Sequence, residues 1–196
     1  MAKLYFRYGV MGSSKSAQAL ITKFNYEEQG MRVWLMKPAA DTRYGADKVH
    51  SRIGLEQPAD VIDDDMDLYE VFRDREREFY DVIIVDEAQF LQPAHVEQLR
   101  EIVDYYNVPV FCFGLRTDFR TRLFPGSARL FELADSVTEL KTVCTCGGKA
   151  MVNARIDAEG RVVTEGEQFP LGGNESYRPM CYKCWKKAAL ESKSEK

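Results

Sequence analysis

Apolar residues along the chain alternate between short unbroken runs and longer stretches spaced at three and four. Lys3 to Tyr8, with Leu4, Tyr5, Phe6 and Tyr8, predicts a first strand. Ala17, Leu20, Ile21 and Phe24 recur at i, i+3, i+4 and i+7, predicting a helix with one inward stripe that ends near Gly30. Met31 to Met36 predicts a second strand, closing a βαβ unit. Leu68, Val71 and Phe72 mark another helix, and the preceding Asp63, Asp64 and Asp65 suit the positive end of its dipole as a cap. Val82-Ile83-Ile84-Val85 is apolar without a break, the pattern of a parallel strand covered on both faces. Pro93 opens a helix carrying Val96, Leu99, Val103 and Tyr106, and Val108 to Phe113 predicts a fourth strand. Ala128 to Leu133 predicts a short helix and Ser136 to Leu140 a fifth strand. The alternation predicts an α/β fold, a doubly wound parallel sheet flanked by helices.

Two stretches escape this pattern. Lys37 to Leu55 carries Asp41, Arg43, Tyr44, Lys48, His50 and Arg52 without periodicity, and reads as a working loop after a strand end. Gly114 to Gly126 is a long loop with Arg116, Arg120 and Arg122 beside aromatics; a solvated face and a contact surface fit it equally. From Lys141 the composition turns to cysteine, glycine and polar residues. The expected division is therefore 1–140 for the α/β domain, 141–190 for a small β-rich appendage, and 191–196 for a solvated tail.

Composition narrows the function classes. The 196 residues are 45% apolar and 30% charged, enough for a real core. A net charge of −4 and a pI near 5.4 argue against a general nucleic-acid or membrane binder. There is no 18-residue apolar run, and the N-terminus leads straight into a strand, so the expected location is cytoplasmic. Of five cysteines, four lie in the last third, which suits a metal site better than a disulfide framework.

Candidate chemistry begins at Tyr8-Gly9-Val10-Met11-Gly12-Ser13-Ser14-Lys15-Ser16. A strand, a small-residue loop, a Lys-Ser pair and a helix form a phosphate-binding P-loop. Backbone N–H groups from Gly9 to Ser14 would face an anion, Lys15 would add a point charge, and the Ser16 hydroxyl would ligate magnesium. The pattern G-x-x-x-x-G-K-[ST] is broken by Ser14 in place of its second glycine. The matching half is Asp86-Glu87 at the end of the apolar strand 82–85. Asp86 would hold magnesium opposite Ser16, and Glu87 would reach the γ-phosphate as a base or water-orienting group. Either half alone also fits a plain strand end or turn; together they predict a magnesium-nucleotide site.

Asp-Glu-Ala-Gln-Phe (86–90), Phe-Gly-Leu-Arg-Thr-Asp-Phe-Arg (113–120), the cysteine cluster and Gly-Gly-Asn-Glu-Ser-Tyr (172–177) follow in order. From Lys3 to about Trp185 the chain resembles the type II thymidine kinases, cytosolic deoxynucleoside kinases with a zinc-bearing lasso domain. The resemblance implies a P-loop, RecA-like parallel sheet with a zinc-binding β-rich lasso. It implies transfer of the γ-phosphate of ATP to the 5′-hydroxyl of thymidine, and of deoxyuridine, with Mg2+ and structural Zn2+ as cofactors. By it Glu87 is the catalytic base and Arg43 reaches the transferring phosphate, while Gln89 joins Gly9 to Ser16, Asp86 and Glu87 in the phosphate and magnesium set. Met11, Leu115, Phe119, Phe124, Gly172 and Tyr177 match the thymidine pocket, whose apolar, aromatic character suits a flat methylated base. Phe119 and Phe124 also suit a simpler role as core anchors of their loop. Gly160 to Tyr177 would be the lasso, reading the base with backbone groups.

Cys144, Cys146, Cys181 and Cys184 would close a tetrahedral zinc site. The first pair is C-x-C, one residue shorter than the family's usual knuckle. Cys112 reads as a small core residue, and His50 and His95 as standing outside the zinc set. A homotetramer and feedback inhibition by dTTP are family expectations; no nucleic-acid or membrane partner is expected. The alternative is a P-loop ATPase whose zinc ribbon handles nucleic acid, against which the acidic pI counts. A zinc-bearing binding protein with a decayed P-loop rests on Ser14 alone.

Overall fold

The computed structural model describes residues 1–41, 45, 47–74, 80–166, 168 and 177–194. In its first half, β1 (Leu4–Tyr8) leads through the glycine loop into α1 (Lys15–Glu27), followed by β2 (Val33–Pro38). A short hairpin of β3 (Lys48–His50) and β4 (Glu56–Pro58), then β5 (Asp60–Ile62) and α2 (Leu68–Asp74), precede β6 (Val82–Val85). A 3-10 turn (Ala88–Phe90) leads to α3 (Pro93–Tyr106), β7 (Val110–Gly114), α4 (Pro125–Leu133) and β8 (Ser136–Glu139). Beyond these lie β9 (Val152–Ile156), β10 (Val162–Val163), β11 (Tyr177–Met180) and α5 (Tyr182–Ser194).

The main sheet has the order β5-β2-β6-β7-β1-β8, with every pairing parallel. Each of its faces is sealed by a separate apolar core. Ile83 and Val85 point with Leu4, Phe6 and Trp34 toward α2, α3 and α4, meeting Leu68, Phe72, Leu99, Val103 and Leu130. Val82 and Ile84 point the other way with Phe111 and Phe113, meeting Ala19 and Leu20 of α1 and Val49 of β3. This two-sided burial is what the unbroken run at 82–85 encodes. The register pairs Tyr8 with Gly114 and Val85 with Cys112, so β1, β6 and β7 end at one edge, where parallel sheets place their ligand crevice. The α/β class and the five expected strands are all present.

Three local readings are corrected. The inward face of α1 is Lys15, Ala17, Ala19 and Leu20, whereas Ile21 and Phe24 are 47% and 59% exposed. Ala17 and Phe24 lie within about 20° of each other around the helix, so the stripe is aligned as expected and it is its C-terminal half, Ile21 and Phe24, that is left uncovered. The cap of α2 is Asp67, whose Oδ1 accepts the Glu70 N–H at 3.0 Å, while Asp63, Asp64 and Asp65 are solvent-facing. The stretch from Lys37 onward, read as loop, contains the β3–β4 hairpin and is followed by β5, the edge strand beside β2. All three strands are three residues long, too short for periodicity to register.

The C-terminal part forms a second sheet of order β10-β9-β11, antiparallel, with α5 closing its small core of Ala154, Val162 and Ala189.

Candidate active site

Tyr8 ends β1, and the Gly9 N–H donates to the Gly114 carbonyl at 3.2 Å, tying the loop to β7. A Cβ on Gly9 would sit 2.3 Å from Ser13 Oγ and 2.6 Å from the Leu140 carbonyl, so only glycine fits. Ser14 has φ 61° and ψ 25°, the left-handed conformation. The departure from the glycine pattern thus keeps the glycine geometry, at a strain of about 1 kcal/mol for an L-residue. Lys15 is buried, and its Nζ donates to the Val10 carbonyl at 2.8 Å and to Ser13 Oγ at 3.4 Å, lying across the loop.

Asp86 and Glu87 arrive from the end of β6. The Asp86 carboxyl is buried, hydrogen-bonded to Ser16, and its Oδ1 has no hydrogen-bond partner. Burial, and then the adjacent Glu87 charge, push its pKa up to about 7; the Ser16 hydrogen bond and the nearby Lys15 charge oppose this. A buried carboxylate oxygen without a partner, next to a serine hydroxyl, is the donor set a hard divalent cation takes. Glu87 has φ 51° and ψ 36°, a second left-handed non-glycine residue at this edge. Such strain persists only where surrounding contacts enforce it. Gln89, buried, supplies one such contact: its Nε2 donates to Glu87 Oε2 at 2.5 Å, and its Oε1 accepts the Leu115 N–H at 2.9 Å.

Ser14, Lys15, Ser16, Asp86 and Glu87 line a cavity of about 210 Å³ together with Met11 and Leu115. Its opposite wall comes from β2 and the β3–β4 hairpin: Lys37, Asp41, His50, Ser51 and Arg52. Lys37 is fully buried, ion-paired to Asp41 at 3.0 Å, and its Nζ also donates to the carbonyls of Gly45 and Lys48. Sequence reasoning missed this pair, because a lysine ending a strand looks solvated. A second hollow of about 200 Å³ is lined by Gln89, Phe90, Leu91, Phe124 and Gln168. Phe90 and Phe124 meet edge to face there, 5.7 Å apart.

Of the expected thymidine-site residues, Met11 and Leu115 meet in the first cavity, and Phe124 lines the second. Phe119 is buried away from both, with the Arg120 and Arg155 guanidiniums 5.5 and 5.4 Å from its ring centre. Its loop is built on Asp118, whose Oδ1 accepts the N–H groups of Arg120 and Arg122, both at 2.9 Å, while its Oδ2 pairs with the Arg120 side chain at 3.1 Å. Arg120 thus braces its own loop, and its Nη1 also donates to the Gly166 carbonyl at 3.4 Å. Tyr177 sits on β11 opposite Arg155. Arg43, Gly172 and half of the expected lasso lie outside the described residues. Phe90 and Asn153 are further residues at this edge that sequence reasoning did not single out. Phe90 stood inside a quoted motif, whereas Asn153 carried no signal.

The four cysteine sulfurs lie within 4.8 Å of one another. Cys146 and Cys181 sulfurs are 3.7 Å apart, against about 3.8 Å for neighbouring thiolates at tetrahedral zinc. The short C-x-C spacing is accommodated by a turn in which the Cys144 N–H and carbonyl bond to Gly148 and Gly147, with Gly147 at φ 83°. Val10 of the phosphate loop packs directly on this cluster with Cys144 and Ala150.

The family model for thymidine kinase matches residues 2–185. The chain belongs to the thymidine kinase family. It is 47% identical over 189 residues to the thymidine kinase of Ruegeria pomeroyi, covering 96% of each chain. It is 48% identical over 187 residues to that of Enterobacteria phage T4, covering 94% of this chain and 96% of the relative. Against the Salmonella typhimurium thymidine kinase the identity is 46% over 192 residues, covering 97% and 94%. Among the described residues of this family member, no helix is long and apolar enough to cross a membrane.

Proposed function

We propose that this thymidine kinase family member transfers the γ-phosphate of ATP to the 5′-hydroxyl of thymidine, and of deoxyuridine, giving the 5′-monophosphate. The observation that carries this reading is the buried, partnerless Asp86 Oδ1 beside Ser16, Lys15 and Glu87 at one end of a cavity. The N–H groups of Gly9, Met11 and Ser13 are held by Gly114, Asn153 and Val10 and shape the loop, while its remaining N–H groups and the Lys15 ammonium receive the phosphates, with Lys15 exchanging its contact to the Val10 carbonyl for phosphate oxygens. Ser16 and Asp86 would hold Mg2+, which would offset the charge of the phosphates. Glu87, oriented by Gln89, takes the proton of the attacking hydroxyl. Leu115 and Met11 flank the nucleoside, with Phe124, Phe119 and Tyr177 beyond them, and Arg43 and Gly172 complete the two sites. Cys144, Cys146, Cys181 and Cys184 would hold a structural Zn2+. The division at residue 140, a homotetramer, dTTP as feedback inhibitor and a cytoplasmic location belong to the same reading.

The test is monophosphate formation from thymidine, deoxyuridine, deoxycytidine and deoxyguanosine with Mg-ATP, using the wild-type chain and Glu87→Gln. Thymidine is expected to be converted by the wild type alone, while both proteins bind thymidine and ATP. Undiminished turnover by Glu87→Gln would remove Glu87 as the base.

A further inference from the structure

Asn153 is 2% exposed and stands on β9 of the second sheet, yet its side chain serves two loops of the first. Its Oδ1 accepts the Met11 N–H at 2.7 Å, and its Nδ2 donates to the Thr117 carbonyl at 3.1 Å. A backbone N–H can only donate and a carbonyl can only accept, so the two partners fix the amide in one orientation. Met11 belongs to the phosphate loop and lines the main cavity. Thr117 lies two residues from Leu115, which lines the same cavity, and two from Phe119. One buried amide thus joins the backbone of the phosphate loop to the backbone of the loop that follows Leu115. β9 is itself held opposite β11, where Asn153 faces Pro179, two residues before the zinc-cluster Cys181.

We propose that Asn153 is a positioning residue that couples the two substrate sites, an inference that rests on the kinase reading above. Nucleoside held against Leu115 fixes the Thr117 carbonyl. Through the Asn153 amide this fixes the Met11 N–H and the loop that receives the phosphates. Coupling of this kind is reciprocal, so each substrate tightens the other by the same factor.

The experiment is a double titration of the full chain, reading the affinity of a non-hydrolysable Mg-ATP analogue with and without saturating thymidine. In the wild type thymidine is expected to tighten the analogue about fivefold or more. In Asn153→Ala the factor falls to about one. Asn153→Asp keeps the acceptor for Met11 and loses the donor to Thr117, so its factor falls too; it carries the test if the alanine variant does not fold. A merely structural asparagine would lower the melting temperature and leave the factor intact. That result, or a wild type without coupling, overturns the proposal. Wild-type thymidine turnover is the separate control: its absence would sink the kinase reading, while its presence with unchanged coupling sinks only the role of Asn153.

Discussion

Gly126→Ala sets two physical effects against each other. Gly126 is the second residue of α4, and alanine is the better helix former by about 1 kcal/mol, so propensity alone predicts a more stable protein. Space predicts the reverse. A Cβ at this position would lie 2.5 Å from the Leu91 carbonyl oxygen, 2.8 Å from that of Ala88 and 3.1 Å from that of Gln89. All three neighbours are backbone, and no side chain can rotate away. Restoring ordinary contact requires α4 and the 88–90 turn to part by roughly 1 Å. Overpacking of this kind costs about 1–3 kcal/mol, which outweighs the propensity gain at all but its lowest end. The net cost of up to about 2 kcal/mol is expected to shift thermal unfolding down by up to roughly 8 °C for a chain of this size. The same displacement moves the turn that holds Gln89 against Glu87, so kcat for thymidine phosphorylation is expected to fall on the order of tenfold to a hundredfold. An unchanged or raised melting temperature with unchanged kcat would refute the argument.

Lys37→Met removes the ion-pair partner of Asp41 at a nearly water-free site, and equilibrium denaturation is expected to record a loss of about 3–5 kcal/mol. Replacing Asp41 by Leu in the same chain should recover most of that loss. Asp86, raised to about 7, keeps a proton in the folded chain that the unfolded chain releases near pH 4. Stability in the presence of a magnesium chelator is therefore expected to fall as pH rises from about 4 to 7, by on the order of 3 kcal/mol, and Asp86→Asn should flatten this slope. Cys146→Ser is expected to lower zinc from one per chain, measured by elemental analysis. It should also weaken Mg-ATP binding, because Val10 packs against the cluster; full zinc content with unaltered nucleotide affinity would contradict this.

The sheet was legible because unbroken apolar runs such as Val82–Val85 have one structural solution, a strand covered on both sides. The strand ends at Tyr8 and Val85 were legible for the same local reason, and the Lys15-Ser16 and Asp86-Glu87 pairs that follow them meet in one cavity. Ser14 was ambiguous in sequence, because only a measured φ distinguishes a serine forced into glycine's conformation from one that has abandoned it. The stripe of α1 was half legible: Ala17 and Leu20 are buried as expected, Ile21 and Phe24 are exposed, and the buried Lys15 counts as polar in any such pattern. Lys37 and Asn153 were invisible for a related reason. Their roles come from partners 4 to 142 residues away, and a charged or amide side chain carries no periodic mark of what it will meet.

Val10 and Met11 stand near the start of the chain, yet the residues that back them stand near its end. Cys144 and Ala150 wall Val10, and Asn153 takes the Met11 N–H. A chain growing on a ribosome that has exposed only the strands through Glu139 possesses the whole parallel sheet. It still lacks the groups that pack on Val10 and bond to Met11, so a truncation before Cys144 is expected to loosen a loop more than 130 residues upstream of the cut.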